Sequence, residues 1–193
     1  MLLAIEVFHQ STDELITQRS REMLPVTFDC AKGCDMCCHS MRVEALPPEV
    51  YRITEYLQTQ NDTVLQNYIA RLETHATYAK GRSYRDYQTR CPFLGDGGAC
   101  SIYEVRPHKC RAHLSKSKKA CEIPGGAQTD STLQYHEDAL AIDTIKLYKT
   151  RKVSMNPAEL GQAVLQVLKD DGHKARWLAG EEVFDSLPEG ITV

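Results

Sequence analysis

Nine residues, 30–38, read C-A-K-G-C-D-M-C-C and hold four of the eight cysteines in the chain. The other four lie further on, where residues 91–111 read C-P-F-L-G-D-G-G-A-C-S-I-Y-E-V-R-P-H-K-C-R and Cys121 follows. Cysteines at this density cannot all pack as small apolar side chains. Thiolates are soft donors that bind zinc and iron strongly. The two segments therefore predict a metal site.

The composition is that of a soluble globular chain, with 193 residues, 25% of them charged, and a formal net charge of −3. No apolar run approaches the roughly 20 residues that span a bilayer, so we expect no membrane segment. The apolar stretch 1–8 has no basic leader and no small-residue cleavage site after it, so we expect no signal peptide and a cytoplasmic protein. Because cytosolic thiols are kept reduced, this location disfavours disulfide bonds.

Outside the cysteine segments, capping and breaking residues predict helices. Serine or asparagine at the N-cap and proline at the first helical position mark where a helix begins, and glycine marks where it ends. The predicted helices run over 11–24, from Pro47, over 62–80, from Ser131 to about Thr150, and from Pro157 to Gly172. We see no alternating pattern that indicates strands, and the second cysteine segment reads as coil.

We therefore predict a mainly α-helical fold: a small helical domain with irregular cysteine-rich metal-binding loops and a C-terminal helical extension. The expected division is an N-terminal helix in 1–27, the cysteine-cluster metal-binding domain in 28–122, and the helical extension packed on it in 123–193. A helical hairpin between the two cysteine segments would bring them together, so that the metal closes the fold.

The spacing of the first segment lets three sulfurs, from Cys30, Cys34 and Cys37, converge on one centre. Cys38 follows directly, and adjacent residues of an extended chain point to opposite sides. The two neighbours can then serve different metals, or one of them can remain a reactive thiol. Eight thiolates divide evenly into two four-ligand sites, or they hold one cluster and leave others spare. We interpret His39 as a polar loop residue rather than a ligand.

Ligand type alone leaves zinc and iron–sulfur both open. Zinc prefers four tetrahedral donors from closely paired cysteines. Intervals of eight, nine and ten residues separate the later cysteines, from Cys91 to Cys121, and these are looser than zinc knuckles. A Cys-Pro step such as Cys91-Pro92 also occurs in bacterial ferredoxin motifs. We therefore favour a 4Fe–4S cluster, with Zn²⁺ as the alternative.

Charge around the second segment agrees with a metal. Every charged side chain between Glu104 and Glu122 is basic. Thiolates on a metal leave net negative charge, which nearby cations and N–H groups offset. We predict this role for Arg106, Arg111 and His108. A nucleic-acid surface is disfavoured, because the chain is weakly acidic and the basic run has no interleaved aromatic residues.

The two motifs together resemble those of the bacterial cysteine-cluster proteins known as the CxxCxxCC or YkgJ-like family, described as zinc- or iron-chelating. The resemblance covers about residues 28–122. Flagellin lysine methylases are similar in their cysteine cluster, which implies an S-adenosylmethionine-linked enzyme as one alternative. The metal ligands that the resemblance implies are Cys30, Cys34, Cys37, Cys38, Cys91, Cys100 and Cys110, with Cys121 in an eighth position.

Three functions follow from these observations. The first is a protein whose metal or cluster is structural or redox-active. The second is an iron–sulfur enzyme, either an oxidoreductase or one that modifies a protein with S-adenosylmethionine. The third is a module that handles or senses zinc or iron. The metal or cluster is the one partner that the sequence indicates. No serine triad, phosphate loop or dinucleotide fingerprint names a reaction.

Overall fold

The computed structural model describes residues 2–31 and 33–188. Over this part of the chain the protein is mainly α-helical, as predicted, with seven α-helices and two strands of two residues each. The helices are α1 (Leu2–Arg19), α2 (Pro47–Gln58), α3 (Asp62–Ala79), α4 (His108–Ala112), α5 (Ser131–Lys149), α6 (Leu160–Leu168) and α7 (His173–Leu178). The strands are β1 (Glu44–Ala45) and β2 (Ala158–Glu159). Within the described residues, no helix is both long and apolar enough to cross a membrane.

The main core lies where α6 packs against both α2 and α3. β1 comes just before α2, β2 comes just before α6, and the strands pair antiparallel with Ala45 opposite Ala158. This pairing places the starts of the two helices side by side. The approach of α6 to α3 requires Gly161, since a Cβ atom there would lie 2.3 Å from the His75 ring.

A second layer forms on the other side of α2. Helix α1 packs against α5, α2 and α4. A smaller apolar cluster includes Tyr51, Tyr148 and Trp177. Trp177 is fully buried, and its Nε1–H donates a hydrogen bond to the Ser154 carbonyl at 2.7 Å. The C-terminal helices α6 and α7 therefore contribute to the same two cores as α2.

Three predicted helices are confirmed. α2 begins at Pro47, as its proline pair predicts. α3 ends one residue before the predicted position, and its cap is Asn61, whose side chain accepts the Val64 N–H. α5 covers the predicted range, with Asp130 as the cap that accepts the Leu133 N–H. In these helices the start signal is local, so sequence alone suffices.

The prediction for the first helix is wrong at both ends. α1 runs from Leu2 to Arg19 rather than over 11–24. Ile5, Phe8 and Thr12 are all buried, so one buried stripe passes through the expected cap at Ser11 without interruption. Met1, Lys32 and residues 189–193, which belong to the expected segments, lie outside the described residues.

The predicted helix from Pro157 to Gly172 is also wrong. Residues 158–159 pair with β1, so α6 starts at Leu160, and the Glu159 carboxylate caps it by accepting the N–H groups of the two residues after Leu160. α6 ends at Leu168, and Gly172 instead precedes α7. The second cysteine segment, expected as coil, contains α4 and several 3₁₀ turns.

A buried carboxylate joins these helices to the second cysteine segment. Glu49 of α2 is 1% exposed. One oxygen lies 2.7 Å from His9 Nε2 of α1 and accepts the His108 N–H at 2.6 Å, while the other accepts the Leu46 N–H at 2.8 Å. Burial would raise the pKa of this carboxyl, but the His9 ring and the two N–H groups outweigh burial and lower it. Because His108 begins α4, Glu49 positions the helix that carries Cys110.

Replacing Glu49 with Gln should destabilise the fold by about 3 kcal/mol at pH 7, because the buried His9 ring loses the charged carboxylate beside it. The pKa of Glu49 is lowered in the folded state. Its contribution is therefore present above its ordinary value of 4.5 and is lost as pH falls through the lower folded-state value. Urea unfolding of wild type and E49Q across this pH range measures the difference in their free energies of unfolding. This difference should disappear at low pH.

The matched control is Glu55→Gln in the same helix, where the carboxylate meets Lys174 at 2.6 Å on the surface. Exposed ion pairs contribute about 0.2–1 kcal/mol, so this variant should unfold almost like wild type. If the difference in free energy of unfolding between wild type and E49Q stayed constant with pH, the stabilising role of the ionised Glu49 would be contradicted.

Candidate metal centre

The cysteines of both segments line one cavity of about 280 Å³ beside the main core. All eight are free, and each is half-buried. The structure thus brings the two distant segments together. The expected helical hairpin does not do this alone, because α6 packs against both α2 and α3. The ligand role of each thiol remains a prediction. The cysteines that line the cavity are Cys30, Cys34, Cys37, Cys38, Cys91, Cys100, Cys110 and Cys121.

Tight turns hold the first segment against the cavity. The Cys34 N–H donates to the Ala31 carbonyl at 2.9 Å, and Gly33 between them has a φ of +89°, which favours glycine. Cys37 and Cys38 lie in a 3₁₀ turn (Met36–His39) rather than in extended chain. Both of them therefore line the same cavity.

The second segment is fixed to the first by backbone hydrogen bonds. The Cys91 N–H donates to the Cys38 carbonyl at 2.7 Å. Leu94 and Cys100 then form an antiparallel bridge, which closes a glycine-rich turn and returns Cys100 to the cavity. Cys110 sits in the short helix α4, whose first N–H is held by Glu49. Three separate local structures thus place Cys91, Cys100 and Cys110.

A loop around Ser115 holds the outer part of the cavity. The Ser115 N–H donates to Cys30 Sγ at 3.3 Å, and the Cys121 thiol donates to the Ser117 carbonyl at 3.6 Å. Asp29 fixes this loop, since its carboxylate accepts the Lys118 N–H at 2.9 Å. Sequence reasoning missed Ser115 and Asp29, because a backbone donor and a loop contact carry no motif.

Burial opposes ionisation of Cys30, Cys91, Cys100 and Cys110. The walls of the cavity include the fully buried side chains Phe93 and Ile102. Burial raises the pKa of the Cys91 thiol to about 12 and that of Cys110 well above its ordinary value. A hydrogen bond from the Cys38 thiol lowers the pKa of Cys37. Thiolate binding of a metal must therefore displace protons.

Arg106 is the cation placed at the cavity. Its side chain lines the wall, with the guanidinium carbon 3.8 Å from the centre of the Tyr103 ring. Arg106 Nε is buried and has no hydrogen-bond partner among the described residues. Burial raises the pKa of Cys100, while the Ile102 N–H and the charge of Arg106 oppose the rise. An unpartnered donor on a cation beside thiols fits an anionic metal–thiolate group.

The other two residues predicted to surround the ligands make their contacts elsewhere. Arg111 donates to Asp13 of α1 at 2.7 Å and to the Glu104 and Arg106 carbonyls. His108 Nδ1 lies 3.2 Å from Thr12 Oγ1. These bonds attach the cysteine segment to α1, so the contribution of Arg111 and His108 to metal binding remains a prediction. His39, interpreted as a loop residue, is exposed and lies 3.0 Å from an Asp35 oxygen.

The donor set fits a soft metal. Thiols are the ligands of structural zinc and of iron–sulfur clusters, and the described residues provide them around a cavity with a cationic wall. Among residues 2–31 and 33–188, no three His, Cys, Asp or Glu side chains already stand at the mutual spacing of ligands around a single metal ion. The thiols stand around the cavity and do not converge on one point.

Comparison with known proteins agrees with this chemistry. A search of curated proteins and a search of solved structures gave no match. A family model described as "CxxCxxCC: Putative zinc- or iron-chelating domain" matches residues 29–137, which is more than half of the 193-residue chain. This match covers every cysteine that lines the cavity. The chain therefore belongs to the CxxCxxCC family of zinc- or iron-chelating domains.

Proposed function

We propose that this protein is an iron–sulfur redox protein, with the cysteine thiolates of the cavity as ligands of 4Fe–4S chemistry. The observation that carries the proposal is the convergence of all eight thiols on one cavity of about 280 Å³. Chelation of zinc or iron is the property of the family, and the choice of iron–sulfur and of a redox role is ours.

The size of the cavity favours a cluster over a single zinc ion. Zinc binds four sulfurs at about 2.3 Å, so its ligands close around it and leave no empty space between them. A cavity of about 280 Å³ has room for several atoms of the size of a water molecule. A multi-atom iron–sulfur core matches thiols that stand apart around such a space.

The surroundings of the thiols suit a redox centre. Apolar walls, hydrogen bonds to sulfur and nearby charge are the features that set cluster potentials. Here they are provided by the buried rings and aliphatic side chains, by the Ser115 N–H on Cys30, and by Arg106. When bound, a cluster supplies one-electron exchange.

A route for electron exchange reaches the surface near Arg106. The guanidinium lines the cavity and stacks on Tyr103, a side chain that is 42% exposed. A redox partner docking at Tyr103 would therefore come within two side chains of the thiols. This short separation supports transfer of electrons to another protein rather than a purely structural cluster.

Anaerobic purification tests the proposal directly. The full chain, isolated or reconstituted with iron and sulfide without oxygen, should be brown and contain at least about four irons and four sulfides per chain. Reduction with dithionite should bleach the visible absorption and give an electron paramagnetic resonance signal. A colourless protein that binds only zinc, with no sulfide under any condition, would refute the iron–sulfur assignment.

Arg106→Gln should lower the reduction potential of the bound centre, because the positive charge that stabilises the more negative reduced form is removed. Arg106→Lys keeps the charge and should restore most of the shift. Redox titration followed by visible absorption measures the potentials. Arg21→Gln, on the surface beyond the end of α1, is the control and should leave the potential unchanged. Equal potentials in wild type and R106Q would contradict the role of Arg106.

A further inference from the structure

The cysteines around the cavity differ in what supports them. Cys91, Cys100 and Cys110 pack against the main apolar core. Cys38 is joined to this set, since its carbonyl accepts the Cys91 N–H at 2.7 Å. These four residues form the inner set, named for its contact with the core.

A second set is held by the loop that follows α4. The Ser115 N–H contacts Cys30 Sγ, and Cys121 lies in the 3₁₀ turn (Lys119–Glu122) of the same loop. This turn packs against the 3₁₀ turn that contains both Cys37 and Cys38, and Cys37 shares a second cavity with Cys121. Together with Cys34, which lines the same cavity, these residues form the outer set: Cys30, Cys34, Cys37 and Cys121.

The adjacent residues Cys37 and Cys38 mark the boundary between the sets. Both line the cysteine cavity, but Cys37 also lines a second, neighbouring cavity of about 320 Å³, together with Cys121. Exposed side chains, among them Tyr84 and Ile123, form the rim of that second cavity. Cys37 thus borders both cavities, while Cys38 lines the cysteine cavity alone and its carbonyl is bonded to the Cys91 N–H.

We infer that the cavity holds two metal–thiolate centres, a protected one on the inner set and an accessible one on the outer set. The inference deepens the proposed function and rests on it, since it assigns the thiols to two 4Fe–4S centres with four ligands each. The outer centre lies next to the second cavity, so small molecules from solvent reach it first.

The test is the metal content of the anaerobically reconstituted full chain. Wild type should bind about eight irons and eight sulfides, twice the content of one cluster. The double variant Cys30→Ser with Cys121→Ser should keep about four of each, because the inner set is intact. The control is the double variant Cys30→Ser with Ser117→Ala, which keeps Cys121. It retains three outer ligands instead of two, so it should hold more iron and sulfide than the Cys30/Cys121 variant. Reduced wild type should also show spin coupling between two centres, and this coupling should vanish in the Cys30/Cys121 variant.

Two results would overturn the division while leaving the proposed function in place. One is a wild-type content of about four irons under saturating reconstitution, which means a single cluster. The other is loss of all iron from the Cys30/Cys121 variant when circular dichroism shows that it is folded. Absence of iron and sulfide from wild type would instead refute the proposed function itself.

A measurement on wild type alone decides the question if the variant does not fold. An iron chelator added to the loaded chain should remove about half of the iron in a fast phase and the rest much more slowly, since Cys37 and Cys121 of the outer set line the second cavity and no inner cysteine does. Release of all the iron in one phase would overturn the inference.

Discussion

The Glu49 carboxylate connects the helical frame of this protein to its cysteine cavity. Its oxygens are hydrogen-bonded to His9 of α1, to Leu46 before α2 and to His108, the first residue of α4. A buried charge is tolerated only while its partners are in place, so these three contacts depend on one another. Because α4 carries Cys110, the wall of the cavity forms only when the helices have packed.

The cavity itself is a costly feature until its thiols have a common partner. Eight half-buried thiols surround a space that no side chain of the described residues fills, and burial raises the pKa of several of them, including Cys91 and Cys110. Arg106 adds an unpartnered donor at the same wall. The metal–thiolate centre that we propose would offset all of these costs together and would couple folding of the cysteine segments to metal binding.

Much of the helical frame could be predicted from the sequence, because the signals are local. Pro47, Asn61 and Asp130 each act within one turn of the helix that they begin. The predicted helix boundaries are wrong where contacts with a distant part of the chain determine the local structure. Residues 158–159 become a strand only because β1 is beside them, and Ser11 is an interior helical residue because the buried face of α1 extends through it.

For the site, the sequence by itself determined the class of chemistry: cysteines at this number and density predict binding of a soft metal, in agreement with the zinc- or iron-chelating family. Only the tertiary structure decided which thiols are neighbours. The link between Cys91 and Cys38, and the contact of Ser115 with Cys30, are made by backbone N–H groups. Every residue except proline has such a group, so the residue types in the sequence do not predict either contact. The arrangement of the thiols around the cavity therefore follows from the path of the folded backbone.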